Sequence, residues 1–446
     1  MRIKYELEIE RFHLIERWKR LSYIEILGGN KMATVKPFKC IRPKKELADK
    51  VAALPYDVYN RAEACEAVKG NDLTFLRIDR AETQFDDSVD TYDDRVYAKA
   101  KELLDGMIAD GTFEQEEKPC YFVYELTMDG RTQTGLVGCA SIDDYVNNVI
   151  KKHENTRADK EEDRIRHVDT CNAQTGPIFL AYRANEVINQ VVADAKNTEP
   201  YCNFVAEDGI RHAAWKIADE ESVNKIVAAF AATDSIYIAD GHHRAASAVK
   251  VGLKRREENP DYDGTEEFNF FLSVLFPDEE LMIMDYNRVV KDLNGLSKEE
   301  FLVEVAKKFD VKNVGTKAYA PKVKGKIGMF LDKEWYELTA HDDIKSTDPV
   351  EGLDVSILQN NLLTPVLGIE DPRTDKRIDF IGGIRGLKEL ERRCGMDMTV
   401  AFSMYPTAIS ELFAVSDAGR LMPPKSTWFE PKLRSGIFIH SIRTDK

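Results

Sequence analysis

The sequence lacks the motifs that mark the commonest nucleotide-binding and hydrolytic enzymes. It has no G-x-x-x-x-G-K-[ST] loop, no G-x-G-x-x-G after a strand, no H-E-x-x-H and no G-x-S-x-G. Each of these patterns places backbone amides, metal ligands or a nucleophile where a particular chemistry needs them. Their absence argues against a conventional P-loop kinase, a dinucleotide dehydrogenase and a common hydrolase.

Long apolar runs and paired cysteines are also missing. No stretch of 18 apolar residues is present, so we expect no membrane span. The seven cysteines are scattered without a C-x-x-C pair, which fits reduced thiols in a cytosol better than a disulfide framework or a zinc site. We therefore expect a cytoplasmic protein.

The charge balance excludes a further class of partners. The 446 residues carry a formal net charge of −15, whereas a general binder of nucleic acid or of a membrane surface needs a basic face. A local basic pocket for a small anion remains compatible with this total. We therefore expect small-molecule partners, no nucleic acid and no membrane, and we leave a homo-oligomer open.

Strand and helix patterns alternate along the chain and predict an α/β (mixed α+β) fold. Apolar runs predict strands over 38–41, 121–126, 134–142, 236–239, 270–276 and 326–331, and apolar residues at helical spacing predict helices over 93–110 and 222–232. The length predicts two or three domains.

We divide the chain into an N-terminal extension (1–31), an N-terminal α/β part (32–145), a central part (146–292) and a C-terminal α/β part (293–446). The extension lacks the apolar core of a signal peptide and could form a short amphipathic helix. We favour the alternative that synthesis starts at Met32, because the compact pattern begins there.

The strongest chemical signal lies where the strand predicted at 236–239 turns into an alanine-rich helix. The turn reads Asp240-Gly241-His242-His243-Arg244. Backbone N–H groups at a helix start, two imidazoles and a guanidinium are donors suited to phosphate. The alternative is an ordinary helix N-terminus that is capped by Asp240 and leaves its histidines exposed.

A second charged segment spans residues 151–164. In one interpretation it is a solvated helix surface with exposed salt bridges. In the other interpretation, Glu154 or Asp163 acts as a base or metal ligand, while the cationic side chains of Lys160 and Arg164 bind negatively charged groups.

Two further segments carry weaker signals. In residues 422–432, Lys425, Ser426, Thr427 and a second lysine could bind an oxyanion on a backbone stiffened by prolines. A plain structural loop with a packed tryptophan is equally compatible. Near residue 55, a short turn places the carboxylate of Asp57 after an apolar segment.

Together these segments resemble the bacterial and archaeal family catalogued as domain of unknown function 1015. The resemblance runs from about Met32 to Ile439 and rests on Pro55-Tyr56-Asp57-Val58, His153-Glu154 with Thr156, Asp163-Arg164, Asp240-Gly241-His242-His243-Arg244 and Met422-Pro423-Pro424-Lys425-Ser426-Thr427. The Asp-Gly-His-His-Arg segment is also similar to the Asp-Gly-His-x-Arg motif of free-serine kinases with a ParB/sulfiredoxin-like fold. A ParB/sulfiredoxin-like phosphate-binding core with additional α/β segments is therefore implied.

The resemblance also implies a reaction, transfer of a phosphoryl group to or from the hydroxyl of L-serine. Gly241, His242, His243 and Arg244 would bind phosphoryl oxygens, and Glu154 would accept the hydroxyl proton, with Asp57 and Asp240 as the other carboxylates considered. Lys160 and Arg164 would hold charge, and the 425–427 segment would bind the far end of the donor, which could be pyrophosphate, ADP or ATP. We expect Mg²⁺, with Asp163 and Asp57 as candidate ligands, because carboxylates must face a polyanion.

Two other functions stay open at this point. ParB-like folds also bind nucleotides as switches that control association, although the net charge of −15 and the lack of an evident DNA-reading segment weigh against that role. A phosphatase acting on phosphoserine would use the same pocket with water in place of the acceptor.

Overall fold

The computed structural model describes residues 32–443, so the expectations for residues 1–31 lie outside the described residues. Thirteen α-helices, two large sheets and three two-stranded ladders make up this part of the chain. The predicted mixed α/β class is confirmed. None of the helices within residues 32–443 combines the length and apolar character needed to cross a bilayer.

The strands are numbered here in chain order, and their bounds are as follows. They are β1 Val35–Lys36, β2 Ile41–Pro43, β3 Phe113–Gln115, β4 Tyr121–Met128, β5 Arg131–Ser141, β6 Ile150–Lys151, β7 Ala173–Gln174, β8 Ile178–Tyr182, β9 Cys202–Val205, β10 Arg211–Ile217, β11 Ile236–Asp240, β12 Phe270–Pro277, β13 Ile283–Met284, β14 Tyr286–Val290, β15 Phe309–Gly315, β16 Lys326–Leu331, β17 Glu334–Ala340, β18 Ile378–Gly382, β19 Val400–Ser403, β20 Trp428–Phe429 and β21 His440–Ser441.

The α-helices lie between these strands. They span Ala48–Val51, Arg61–Ala67, Leu76–Asp79, Asp94–Ala109, Ile142–Val146, Ala158–Cys171, Glu186–Lys196, Glu220–Phe230, His242–Glu258, Lys298–Ala306, Asp354–Leu358, Leu387–Cys394 and Ile409–Asp417.

The larger sheet has nine strands in the order β6-β11-β8-β12-β5-β4-β10-β9, with β1 paired to the end of β5. The pairs β6/β11 and β8/β12 are parallel, and the other pairs are antiparallel. Every residue of β8 and β12 is buried. Such continuous apolar strands are typical of a sheet covered on both faces.

The second sheet has six strands, all antiparallel, in the order β15-β17-β16-β19-β14-β18. The boundary predicted near residue 145 falls inside the nine-stranded sheet, which takes strands from both sides of it. The boundary predicted near 292 falls just after β14, the first strand of the second sheet. The division into domains stays a prediction.

Residues 438–441 pack against elements from the first half of the chain. β21 pairs with β7, and Ile439 forms a bridge with Ile41. Phe438 packs its ring against Phe122 in β4, with ring centroids 5.3 Å apart. The segment around Phe438–Ser441 is therefore part of the core around the nine-stranded sheet.

Most predicted elements are present with small shifts. The helix predicted over 93–110 spans Asp94–Ala109, and Asp93 caps it by accepting a hydrogen bond from the Arg95 amide at 2.9 Å. The strand predicted over 38–41 is wrong, because Phe38 forms only an isolated bridge between β1 and β2. Pro37 stands between them and has no N–H to donate to a ladder.

Candidate functional site

A sharp turn joins β11 to the helix His242–Glu258. Gly241 is the N-cap of this helix and adopts φ +90°, a left-handed conformation that favours glycine. A Cβ on Gly241 would also lie 3.0 Å from Nε of Arg244. Asp240 is therefore not the cap, and the alternative of an ordinary capped helix with exposed histidines is wrong, because His242 is buried.

Arg244 is held beneath this turn, which we call the 240–244 turn. Its Nη1 donates a hydrogen bond of 2.7 Å to the carbonyl of Pro177, which precedes β8. Its Nη2 lies 3.7 Å from Oδ2 of Asp240. The guanidinium is therefore fixed between the sheet and the helix start, next to the N–H groups that give this end of a helix its positive potential.

Asp240 is paired with two cations. Lys432 places its Nζ 3.6 Å from Oδ2 of Asp240, the same oxygen that Arg244 approaches. Burial raises the pKa of Asp240, but Lys432 and Arg244 outweigh burial and hold the pKa below its usual range. Asp240 is therefore ionised at neutral pH and serves to balance these two cations.

Two histidines meet above the turn. The rings of His153 and His242 contact edge to face, with centroids 4.6 Å apart and an interplanar angle of 88°. Burial lowers the pKa of His153 to about 4, against the opposing influence of the Ile238 carbonyl and Asp240. Burial and the proximity of His153 also hold the pKa of His242 well below its usual range. Both imidazoles are therefore neutral at pH 7.

Glu154 stands beside this pair and is half-buried. Its carboxylate belongs to a cluster with His153 and His242 in which one ligating atom from each residue lies within 4.8 Å of the others. Burial raises the pKa of Glu154, Lys425 opposes this rise, and Asp240 adds to it. A carboxylate with a raised pKa is the kind that accepts a proton during catalysis.

His243 points to the other side of the turn and accepts a hydrogen bond of 2.9 Å from the Arg157 amide at its Nε2. Burial lowers the pKa of His243, and the negative charge of Asp57 opposes this effect. Asp57 itself is exposed, on a 3₁₀ turn spanning Tyr56–Val58. The structure thus brings Asp57 into the electrostatic environment of the 240–244 turn.

The segment 422–432, which we call the 422–432 loop, closes over the site. Lys425 has φ +59°, and its carbonyl accepts a hydrogen bond of 3.1 Å from Nη2 of the buried Arg288. Burial lowers the pKa of Lys425, but Tyr286 and Glu154 outweigh it, so the net pKa is raised and the ammonium group stays charged.

The two hydroxyls of this loop are used within the protein. Ser426 is buried and donates a hydrogen bond of 2.6 Å to the carbonyl of Pro423. The Thr427 hydroxyl lies 3.4 Å from Nε2 of His153. Lys425 is therefore the group of the 425–427 segment that carries charge into the site, while Ser426 shapes the loop and Thr427 faces His153.

The charged helix Ala158–Cys171 is a solvated surface only in part, because Asp159 and Glu162 are exposed while its other face is buried. Asp163 and Arg164 are both buried and paired with each other at 2.9 Å. Asp163 also accepts a hydrogen bond of 2.9 Å from the Tyr97 hydroxyl, and the Arg164 guanidinium lies over the Tyr56 ring at 4.1 Å. These partners come from distant segments and compensate the buried charges.

Two neighbouring cavities connect this helix to the 240–244 turn. A small cavity of about 30 Å³ lies between Arg164 and Arg244, and a cleft of about 360 Å³ lies beyond it. Both are lined by Tyr56 and Arg164, and the larger cleft also by Asp57 and by Lys160, which donates to the Tyr92 hydroxyl at 3.0 Å. Lys160 and Arg164 thus face the cleft rather than the histidine pair.

Two residues of the site were missed as site residues: His153, which packs on His242, and Arg288, which holds the backbone of Lys425. Lys432 is the second lysine of the 422–432 segment that we considered for oxyanion binding, but its pairing with Asp240 was not predicted. The His153-Glu154 pair was visible in the sequence as a motif. No local pattern signals the contact of Lys432 with Asp240, because these residues are far apart along the chain.

The chain belongs to the family described as protein of unknown function (DUF1015), whose model matches residues 35–356. The 422–432 loop lies beyond the matched range. No curated protein sequence matches the chain.

Several solved structures share a distant likeness with the chain. A conserved hypothetical protein from Pyrococcus furiosus is 15% identical, with 67% of this chain and 92% of that chain covered and a TM-score of 0.33. A free serine kinase in complex with AMP is 14% identical, with 67% and 90% covered and a TM-score of 0.31. A C-terminally truncated SbnI from Staphylococcus aureus is 12% identical, with 70% and 90% covered and a TM-score of 0.37. At these scores the likeness is too distant to assign a role to any residue.

Proposed function

We propose that this chain is a phosphotransferase that transfers a phosphoryl group to the hydroxyl of free L-serine and forms O-phospho-L-serine. The observation that carries the proposal is the convergence of fixed cations and a half-buried carboxylate at one strand–helix junction. Arg244, Lys425 and Lys432 surround Asp240 and Glu154 at the start of the helix His242–Glu258. Phosphoryl transfer depends mainly on positioning and on neutralising charge.

The anion would bind at the 240–244 turn. Helix N-termini bind phosphate because their first N–H groups have no partners within the helix. Arg244 is held in place by the Pro177 carbonyl, so little side-chain entropy is lost when an anion binds. Lys425 and Lys432 would add positive charge from the 422–432 loop.

Glu154 is the carboxylate best suited to accept the hydroxyl proton. Its raised pKa brings it nearer to the operating pH, whereas Asp240 is ion-paired and has a lowered pKa. Asp57 is exposed and faces the cleft. We therefore assign the base role to Glu154 and leave Asp240 to balance the cations.

The residues present are compatible with the expected Mg²⁺ if Asp57 is its carboxylate ligand, and a site made of several carboxylates is not needed. Mg²⁺ is commonly held by one or two carboxylates together with phosphate oxygens of the substrate. Both Asp57 and Asp163 line the cleft, but Asp163 is buried and already paired with Arg164 and Tyr97, which leaves the exposed Asp57 as the carboxylate to bind the ion. When bound, Mg²⁺ would neutralise charge on the phosphate donor.

The test is a product assay on the full chain with L-serine, Mg²⁺ and, separately, pyrophosphate, ADP and ATP. O-phosphoserine detected by ³¹P NMR from one donor would support the proposal and identify the donor, and L-alanine serves as the acceptor control without a hydroxyl. No phosphoserine from any donor, with folded protein, would overturn it. Phosphate release from O-phosphoserine would instead indicate a phosphatase, and nucleotide binding without a product would indicate a switch.

A further inference from the structure

The phosphoryl-transfer proposal uses Glu154 as the base but assigns no role to His153 and His242, the two histidines that form a cluster with it. One ligating atom from each residue lies within 4.8 Å of the other two. Within residues 32–443 this is the one group of three histidine, cysteine or acidic side chains so placed. His153 and His242 are 2% and 7% exposed, so the cluster is largely shielded from water.

Two nitrogens of this cluster are buried without a hydrogen-bond partner. They are Nδ1 of His153 and Nε2 of His242. Buried polar atoms normally find partners, and an unsatisfied one costs about 1–3 kcal/mol. Two such atoms on adjacent imidazoles therefore point to a group that both rings would bind together.

We propose that His153, Glu154 and His242 form a site for a divalent transition-metal ion of the Zn²⁺, Mn²⁺ or Fe²⁺ class. Two imidazoles and one carboxylate are ligands that zinc and first-row transition metals use, with a remaining position open to water or substrate. Mg²⁺ prefers oxygen ligands, so this cluster discriminates against it. The ion would bind Nδ1 of His153 and Nε2 of His242, the two nitrogens that lack a hydrogen-bond partner.

The surroundings of His153 orient its ring for this role. Its Nε2 faces the Thr427 hydroxyl at 3.4 Å, so its two nitrogens have different surroundings. Its carbonyl accepts a hydrogen bond of 2.8 Å from the Met422 amide, which ties the backbone to the 422–432 loop. Metal-binding histidines are commonly oriented by a hydrogen bond at the other ring nitrogen.

A consequence that rests on the proposed function follows for Glu154. A carboxylate bound to a transition metal is a weaker base, because the ion withdraws charge from it. Zn²⁺ is therefore expected to slow serine phosphorylation, whereas Mg²⁺ is not. Metal binding itself is measured without serine, so the two proposals can fail independently.

The test measures Zn²⁺ and Mg²⁺ binding to the metal-stripped full chain by isothermal titration calorimetry, with Co²⁺ absorbance as a spectroscopic probe. We expect wild-type protein to bind Zn²⁺ in preference to Mg²⁺, and His242→Ala and Glu154→Gln each to weaken Zn²⁺ binding at least about tenfold. His341→Ala is the matched control, because His341 lies beside Asp310 in the part of the chain that forms the second sheet.

Two outcomes would overturn the site. One is Zn²⁺ affinity that is unchanged in both His242→Ala and Glu154→Gln. The other is wild-type protein with no Zn²⁺ binding, or with binding no tighter than for Mg²⁺. Glu154→Gln keeps the shape of a half-buried side chain, so its result stands even if the alanine variant unfolds. Thermal unfolding of each metal-free variant establishes which of them are folded.

Discussion

The Lys432 ammonium lies 3.6 Å from the Asp240 carboxylate and joins the 422–432 loop to the 240–244 turn. The pair brings Lys432 to the end of β11, almost two hundred residues earlier in the chain. Without Lys432, the negative charge of Asp240 would face an incoming anion with only Arg244 to balance it. This contact therefore adds positive charge at the candidate phosphate site and offsets the charge of Asp240.

Lys432→Met is expected to weaken pyrophosphate binding about tenfold, or about 1.4 kcal/mol, because Asp240 then repels the anion. Calorimetry at two salt concentrations checks this, since a loss of charge also reduces the salt dependence. Lys322→Met is the control, because Lys322 is exposed on a distant loop. Equal affinities of wild-type protein and Lys432→Met would remove Lys432 from the site.

Arg244→Lys is expected to reduce phosphate-ligand affinity by about ten- to a hundredfold. An ammonium group has no planar fork, so it cannot contact the Pro177 carbonyl and Asp240 while also presenting a donor to the anion. Arg373→Lys, at an exposed arginine paired with Asp371, should leave affinity unchanged. Should both variants bind alike, the anion lies elsewhere.

Glu154→Gln is expected to reduce the rate of phosphoserine formation by about a hundredfold or more, with little change in donor affinity, because a general base contributes at this scale. Glu162→Gln, on the exposed face of the neighbouring helix, is the control. The same assay gives the pH dependence. Burial raises the pKa of Glu154, and the base must be deprotonated to act. As the pH is lowered, activity should therefore begin to fall at a pH above 4.5, the ordinary pKa of a glutamate. A Glu154→Gln variant with near-native turnover would show that another group is the base.

Asp354→Asn is expected to change how stability depends on pH. Asp354 is 8% exposed, and burial raises its pKa to about 6 from 3.8. The folded chain therefore binds this proton more tightly than the unfolded chain, so stability is full below 3.8 and is lost as pH rises toward 6. The asparagine variant does not lose stability in this way. Its free energy of unfolding, relative to that of wild-type protein, should therefore increase by up to roughly 3 kcal/mol between pH 4 and pH 7.

Denaturant unfolding at pH 4 and pH 7 measures this difference. Asp261→Asn, at an exposed loop position, should show the same stability difference from wild-type protein at both pH values. An Asp354→Asn advantage that does not grow with pH would indicate that Asp354 ionises normally in the folded chain.

Local patterns predicted the elements that local physics determines. The helix Asp94–Ala109 combines an apolar stripe with an aspartate cap, and β16 was predicted at its observed bounds. The strand predicted over 38–41 was wrong, because Phe38 forms only an isolated bridge and the next strand begins at Ile41. The strand–turn–helix at the 240–244 turn was also predicted, since an apolar strand followed by Asp-Gly and an alanine-rich helix is a local signal.

The burial of charged and titratable groups could not be predicted in the same way. Asp163 and Arg164 look like surface residues in sequence, and their burial depends on Tyr97 and Tyr56 from other segments. For the same reason, the sequence alone did not decide whether His242 is exposed or buried. Its environment is set by His153, which reaches it only once β6 and β11 are side by side.

The pairing of β21 with β7, and of Ile439 with Ile41, has a consequence for synthesis of the chain. The segment that completes the core around the nine-stranded sheet is made after the strands of that sheet, and so is the loop that carries Lys425 and Lys432. A nascent chain synthesised only as far as β19 thus holds the 240–244 turn without these two lysines. Chains that stop short of residues 422–441 are therefore expected to be less stable and to bind the anion more weakly.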